Sequence, residues 1–338
     1  MSRKLYTQTA LGLILSSTAV ADVPSVAVDI APVHALVARV MDGVAAPNLI
    51  IPPSASPHEY SLRPSEAKSL QDADLVFWVG EDLTPWLEKS IDTLSRNAEI
   101  ITLLDQSETK LLKFRESALF EAHDHDDHDD HDHDKSHDDH DDHDDHDHDK
   151  SHDDHDDHEG HNHGTHDPHA WLSIDNAQSW LNVIAAKLSA VDPENAGVYY
   201  GNAASAIAEL DAVEKEINAT LDPVRGNSFV VFHDAYQYFE NSFEFFAAGA
   251  ISLSDASDPS AARIAEVQGR IKNEGIDCIL SEPQYSANLV ATVLSGTDAK
   301  TGVIDPLGSS LEPGPNLYTE LVYDMAETLA GCLSDAKK

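Results

Sequence analysis

The stretch of sequence that decides the fold is PENAGVYYGNAASAIAELDAVEKEINATL, residues 193–221. Its apolar residues recur three or four positions apart, and its two glycines both lie near its beginning, so the pattern predicts one long helix. A helix over these 29 residues would be about 43 Å long. Because a crossover within one domain needs far less, we predict a rigid connector between two domains.

Short apolar runs alternate with helix-like runs on both sides of this connector. Residues 75–79 before it and 229–232 after it are continuously apolar. Such strands, lying between helices, are typical of a parallel sheet with both faces covered. The sequence therefore predicts an α/β protein made of an N-terminal lobe at 22–190, the linker helix at 193–221 and a C-terminal lobe at 226–338.

Residues 1–21 predict a secretory signal peptide. Arg3 and Lys4 form a basic start, residues 10–20 are largely apolar, and residues 19–21 are a small-residue cleavage site. The apolar run is too short for a membrane span, and no other segment is long and apolar enough. We expect a soluble, exported protein, cleaved near Ala21, with a bacterial periplasm as the simplest compartment.

A tract at residues 121–167 consists almost entirely of histidine and aspartate and holds 16 of the 20 histidines. The segment HDHDKSHDDHDDH occurs at 131–143 and again at 146–158. With no hydrophobic face to offset the entropy of ordering, this His/Asp tract should be disordered and solvated. Imidazole suits zinc, copper and nickel, so we predict transition-metal binding. A solubilising acidic linker or an expression tag is the alternative.

The charge distribution argues against two classes of partner. The formal net charge is −40 at pH 7, and the tract, with 22 acids against Lys135 and Lys150, contributes −20 of it. The rest of the chain is therefore still acidic. Such a balance disfavours nucleic acid and anionic membranes and fits attraction of cations.

The chain has two cysteines, Cys278 and Cys332. In an oxidising compartment an isolated pair most simply forms one disulfide. Two buried free thiols are the alternative. We prefer the disulfide because free thiols are uncommon in exported proteins.

Four histidines lie outside the tract: His34, His58, His169 and His233. The last three follow a predicted strand or lie beside a proline in a loop, and ligands of α/β sheets collect at the carboxyl ends of strands. Three converging imidazoles would make a zinc site with an open fourth position, whereas a solvated loop histidine is the ordinary alternative for each. We expect His34, on the first turn of a predicted helix, to be a surface residue or a partner of a ligand.

Several motifs carry a resemblance to a known family. They are SPHEYSLRPS at 56–65, DPHAWLS at 167–173, VFHDAYQYF at 231–239, SEPQY at 281–285 and DPLG at 305–308. In this order they resemble the periplasmic metal-binding proteins of bacterial ABC importers, and most of all the zinc-specific, ZnuA-like branch. The resemblance runs from about Val26 to the C-terminus. It implies two α/β lobes joined by one long helix, with the metal in the cleft between the lobes.

The resemblance also assigns residues. It gives ligand roles to His58, His169 and His233, and it places the His/Asp tract and the Cys278/Cys332 bridge where zinc members have theirs. Manganese members usually have a carboxylate at the third position, so His233 favours zinc. Glu59, Asp305 or water could be the fourth ligand, with Glu59 slightly ahead. Either carboxylate could instead orient a histidine.

The expected function is capture of Zn²⁺ and its delivery to an inner-membrane ABC permease by a monomer whose lobes move little, without catalysis. The tract would collect or buffer zinc. A manganese or other divalent-metal protein of the same family is the first alternative. A zinc hydrolase with Glu59 as base is less favoured, because the sequence has no HExxH motif. A metal-storage or adhesion protein without a transporter is the third alternative.

Overall fold

The computed structural model describes residues 23–115, 165–252, 259–284 and 287–334. The predicted signal peptide and residues 121–164 of the His/Asp tract lie outside the described residues. Within these ranges no helix combines the length and the apolar character that a membrane crossing requires.

The first lobe contains a parallel four-stranded sheet in the order β2-β1-β3-β4. Its central strands are buried along their whole length, which is why they appear in the sequence as continuous apolar runs. The strands are β1 Val26–Val28, β2 Asn48–Leu49, β3 Leu75–Trp78 and β4 Glu99–Thr102. The helices are α1 Ala31–Val40, α2 Pro64–Gln71, α3 Pro85–Leu94 and α4 Ile174–Val191.

The second lobe repeats this arrangement with a parallel sheet in the order β6-β5-β7-β8. The strands are β5 Phe229–His233, β6 Ala250–Ser252, β7 Cys278–Ser281 and β8 Lys300–Val303. The helices are α6 Gln237–Phe243, α7 Ala261–Glu274, α8 Ala287–Leu294 and α9 Leu317–Leu333. Strand β6 was not predicted, because three residues at the edge of a sheet leave too short a pattern.

The predicted long helix is present as α5, Ala196–Leu221, a single helix of 26 residues or about 39 Å. It begins three residues later than expected, because Pro193–Asn195 form a 3-10 turn. Its buried positions are spaced three or four apart: Tyr199, Ala203, Ala206, Leu210, Val213, Ile217 and Leu221. Through this face α5 packs against α1 and α4 of the first lobe and α9 of the second.

Both lobes share one hydrophobic core. A single cluster of buried side chains includes β1, β3, α1, α4 and α5, and continues into β5, β7 and α9. A smaller cluster lies on the other face of the second sheet, under α7 and α8. Since protein interiors are close-packed, a large rotation between the lobes would have to open this shared core. The two-lobed α/β prediction is confirmed.

The predicted disulfide is also present. Cys278 at the start of β7 is bonded to Cys332 near the end of α9, with their Cα atoms 5.9 Å apart. The bond therefore ties a central strand of the second sheet to the C-terminal helix, and the alternative of two free thiols is wrong.

Candidate metal centre

Two loops and the end of a strand bring the predicted histidines together. His58 lies between β2 and α2, His169 immediately precedes a 3-10 turn at Ala170–Leu172, and His233 is the last residue of β5. His58 and His169 belong to the first lobe and His233 to the second. The group therefore lies between the lobes, at the carboxyl ends of strands.

The spacing of the three imidazoles suits a tetrahedral metal ion. One ring nitrogen of each histidine lies within 4.8 Å of the other two. The Nε2 atoms of His169 and His233 are 3.4 Å apart. Two nitrogens that bind one zinc ion tetrahedrally at about 2.05 Å would lie about 3.3 Å apart. The pair therefore already has the separation that zinc requires.

A buried carboxylate orients His169. Asp167 Oδ1 lies 2.7 Å from His169 Nδ1 and also accepts a hydrogen bond from the His169 backbone N–H at 3.0 Å. When Asp167 is ionised its oxygens only accept, and Nδ1 of His169 then carries the proton. The lone pair of the imidazole is then on Nε2, which faces His233.

His233 has an equivalent partner on the second lobe. Its Nδ1 lies 2.6 Å from Oε1 of Glu282, which follows β7 directly and is 2% exposed. The other Glu282 oxygen accepts a hydrogen bond from Gln284 Nε2 at 2.6 Å. Residue-by-residue reasoning from the sequence did not assign Glu282 to the site. Its position at a strand end within the SEPQY motif was the available signal.

His58 is positioned by contacts of its loop. Its side chain is half-buried, and its backbone N–H donates to Ser56 Oγ at 3.2 Å. Trp86 of α3 fastens the loop, donating from Nε1 to the Pro57 carbonyl at 2.8 Å. His58 is thus the most accessible of the three histidines.

Buried acids surround the base of the site. Burial raises the pKa of Asp167 to about 7, although the His169 backbone N–H, Arg115 and His233 each lower it in part. Burial likewise raises the pKa of Glu240 to about 7 against the opposing charge of Arg115. The acids near His169 and His233 are therefore dehydrated, and a positive charge nearby would favour their ionised forms.

The two carboxylates considered as fourth ligands lie outside this group of nitrogen atoms. Glu59 is exposed. Asp305 Oδ1 accepts the backbone N–H groups of Leu307 and Gly308, both at 3.0 Å, and its Oδ2 accepts that of Ser309 at 2.6 Å. Asp305 therefore closes its own loop. Among the described residues, the group of ligand atoms within 4.8 Å contains the three histidines alone.

The expectation of a surface position for His34 is wrong. His34 is 7% exposed, and its Nε2 lies 3.2 Å from the Pro47 carbonyl. Helix α1 packs against α4, α5 and α9, so nearly all of its faces are covered. Burial lowers the pKa of His34, which favours the neutral imidazole.

Comparison with known proteins identifies the family. The family model described as the periplasmic zinc-uptake complex component A, ZnuA, matches residues 26–332. The chain belongs to this family. The high-affinity zinc uptake system protein ZnuA of Brucella suis is 48% identical over 309 residues, covering 91% of each chain. The protein of the same name from Paracoccus denitrificans is 48% identical over 314 residues and 93% of each chain.

Similarity of fold does not select the metal. The solute-binding protein FpvC of Pseudomonas aeruginosa, solved in complex with Mn²⁺, matches with a TM-score of 0.71 over 94% of this chain and 100% of its own, at 18% identity. At that identity the likeness shows the fold alone. The donor atoms of the ZnuA-family site must therefore distinguish zinc from manganese.

Proposed function

We propose that the protein captures Zn²⁺ in the periplasm with His58, His169 and His233 and delivers it to an inner-membrane ABC permease. The single observation that supports this best is the 3.4 Å separation of the His169 and His233 Nε2 atoms, each opposite a carboxylate-bound Nδ1. The names of the ZnuA relatives agree with zinc uptake. The protein acts as a monomer, after removal of a signal peptide near Ala21.

The donor set favours zinc over manganese. Three neutral imidazoles suit zinc, copper and nickel, whereas manganese prefers carboxylate and water oxygens. The fourth position is left for water, or for Glu59 or Asp305 after a small local movement. A transport site benefits from such an open position, because the fourth ligand can be exchanged during loading and release.

The role is capture rather than catalysis. A zinc-bound water beside Glu59 would be the hydrolytic alternative, but the Glu59 carboxylate is exposed and outside the group of histidine nitrogens. Zinc-loaded protein should therefore hydrolyse a nitrophenyl ester no faster than the background rate. Turnover that disappears in His169→Ala would instead support an enzyme.

The His/Asp tract gathers zinc beside the centre. His166, its last histidine, is three residues from His169. A tether this short gives an effective ligand concentration on the order of millimolar. Its repeated imidazoles make several sites, which are weaker and less selective than the centre, because binding there must fix backbone that the folded centre does not have to fix.

Calorimetric zinc titration tests the proposal. The mature chain should show one tight site and several weaker ones, and a variant lacking residues 123–163 should keep only the tight site. This deletion retains the described residues Thr165 and His166. His169→Ala in the deleted chain should abolish the tight site, while His34→Gln, at a buried histidine outside the group, should leave it intact.

Two results would contradict the assignment. Tight binding that survives substitution of all three histidines in the deleted chain would place the site elsewhere. Displacement of zinc by equimolar Mn²⁺ would favour the manganese alternative. In addition, normal growth under zinc chelation of a strain that lacks the protein would favour storage or adhesion over transport.

A further inference from the structure

The two chain segments that enclose residues 116–164 form a short stem. Lys113 and His166 make an isolated antiparallel bridge. Next to it the Asp167 backbone N–H donates to the Leu112 carbonyl at 2.8 Å. The described residues on either side of 116–164 are therefore held together at one point, close to His169.

This stem is fastened to α6 of the other lobe. The Tyr238 hydroxyl accepts a hydrogen bond from the Leu112 backbone N–H at 2.9 Å and donates to the Asp167 carbonyl at 2.8 Å. Tyr238 is buried. One side chain of the second lobe thus holds both strands of the stem.

Arg115 adds a charged contact between the stem and the second lobe, and we call this contact the junction. Its Nη2 lies 2.6 Å from Glu240 Oε2, and its Nη1 lies 3.1 Å from Asp234 Oδ1. The side chains of Arg115, Asp234 and Glu240 are 15%, 7% and 2% exposed. Exposed ion pairs contribute little, but removing one partner from a buried pair leaves an uncompensated charge and is costly.

The placement of these residues links the junction to the metal centre. Asp234 is adjacent in sequence to His233, and the stem continues into Asp167 and His169. His169 and His233 belong to different lobes, so contacts that join the lobes beside them can set their 3.4 Å separation. Arg115 connects the two sides there.

We infer that Arg115 is a positioning residue for metal retention. Its guanidinium fixes Asp234, and with it His233, relative to His169. The stem and the zinc centre should therefore move together. The inference rests on the proposed zinc function. Loss of Arg115 should leave the three ligands present but their separation less constrained, which mainly accelerates zinc release.

The experiment compares Arg115→Met, Arg115→Lys and Arg39→Met in the full mature chain. Arg39 is the matched control, because it also pairs with a carboxylate on another element, Glu209 at 2.5 Å, but away from the histidines. Zinc release into a chromogenic chelator is followed by stopped flow.

Changes around a metal ligand typically cost 10–100-fold in affinity, so zinc release from Arg115→Met should be about tenfold faster than from wild type. Arg115→Lys should restore part of the loss, since lysine keeps the charge but not the planar fork, and the control should match wild type.

A double variant separates positioning from stability. Arg115→Met with Glu240→Gln removes the more deeply buried of the two unpaired carboxylates, so it should fold even if the single variant does not. Fast release and an altered visible spectrum of the Co²⁺-loaded double variant would support positioning. A release rate and a spectrum equal to those of wild type would overturn the inference, because the defect of the single variant Arg115→Met would then reflect only an unpaired charge.

The failure of the inference can be distinguished from the failure of the proposed function. A wild-type chain with no tight zinc site would overturn both, whereas tight wild-type binding with normal release from Arg115→Met would overturn the inference alone.

Discussion

At the scale of single residues, Asp167 and Glu282 determine which nitrogen of each imidazole is available to a metal ion. Each carboxylate accepts a hydrogen bond from Nδ1 of its histidine, at 2.7 Å for His169 and 2.6 Å for His233, so Nε2 carries the lone pair. Partners of this kind fix both the tautomer and the ring orientation and make the imidazole a better ligand. Zinc binding should therefore depend on residues that never contact the ion.

Substitution of Glu282 tests this dependence. Glu282→Gln removes the negative charge behind His233 while nearly conserving shape, so zinc affinity should fall by about 10–100-fold. Competition with a chelator of known affinity measures the change. Glu99→Gln, at an exposed carboxylate paired with Lys187, is the control and should bind as wild type does. Unchanged affinity in Glu282→Gln would show that His233 is oriented by other contacts.

A second residue-scale prediction concerns pH. Burial raises the pKa of Asp29 to about 7, although its hydrogen bonds from the backbone N–H groups of Val79 and Ile30 lower it in part. The folded state therefore holds this proton between about pH 4 and pH 7, where the unfolded state has lost it. In that window the contribution of Asp29 to stability decreases as pH rises, by up to about 1.4 kcal/mol per pH unit.

Asp29→Asn removes this titration but also disturbs one of the two backbone hydrogen bonds. The variant should be destabilised, and its deficit in unfolding free energy should be smaller at pH 7.5 than at pH 5 by about 1 kcal/mol or more. Urea denaturation of the metal-free protein at both pH values measures it. An equal deficit at the two pH values would mean that Asp29 does not titrate in this window.

At the scale of elements, the parallel strands place the histidine loops and the helices hold the strands in position. Helix α5 buries seven side chains along one face and contacts both lobes, and α9 returns from the second lobe to pack on α1. The Cys278–Cys332 bond adds a covalent link between β7 and α9. Cys278 pairs with Phe229, at the end of β5 opposite His233, so we expect the disulfide to contribute to stability rather than to metal binding.

Removal of the disulfide should separate these two properties. The bond closes a loop with a sequence separation of 54. The double substitution of Cys278 and Cys332 by alanine should lower the free energy of unfolding by about 2–5 kcal/mol. Because Cys278 lies at the opposite end of β7 from Glu282, tight zinc binding should persist below the unfolding temperature. Loss of the tight site in a variant that is still folded would contradict this separation. Wild-type protein whose disulfide has been chemically reduced is the control.

At the scale of the whole molecule, the shared core predicts that zinc binding changes the lobe arrangement little. Buried residues form one cluster from β1 to α9, so a wide hinge opening would expose apolar surface. Release must then come from local displacement, and the half-buried His58 loop is the most accessible part of the site.

Distance measurements between the lobes test this rigidity. Spin labels at Thr93→Cys on α3 and Asn273→Cys on α7 lie on exposed surfaces of the two lobes. Zinc should change the mean label separation by about 1 Å or less, as in preorganised complexes. Labels at Thr93→Cys and Lys187→Cys, both in the first lobe, give the baseline. A shift of several ångströms would instead indicate hinge closure.

The sequence by itself predicted most of the elements and the three histidines of the candidate site. The periodicity of residues 193–221, the apolar runs of β3 and β5, and the placement of His58, His169 and His233 after strands or beside prolines are local patterns, and local patterns can be read without a partner. The tertiary structure alone decided the burial of His34, the presence of β6, the orienting carboxylate of Glu282 and the junction of Arg115 with Asp234 and Glu240. These features depend on contacts between residues far apart in the chain, which periodicity does not encode. The sequence therefore predicts the candidate metal ligands, whereas the packing of the two lobes sets their separation and orientation.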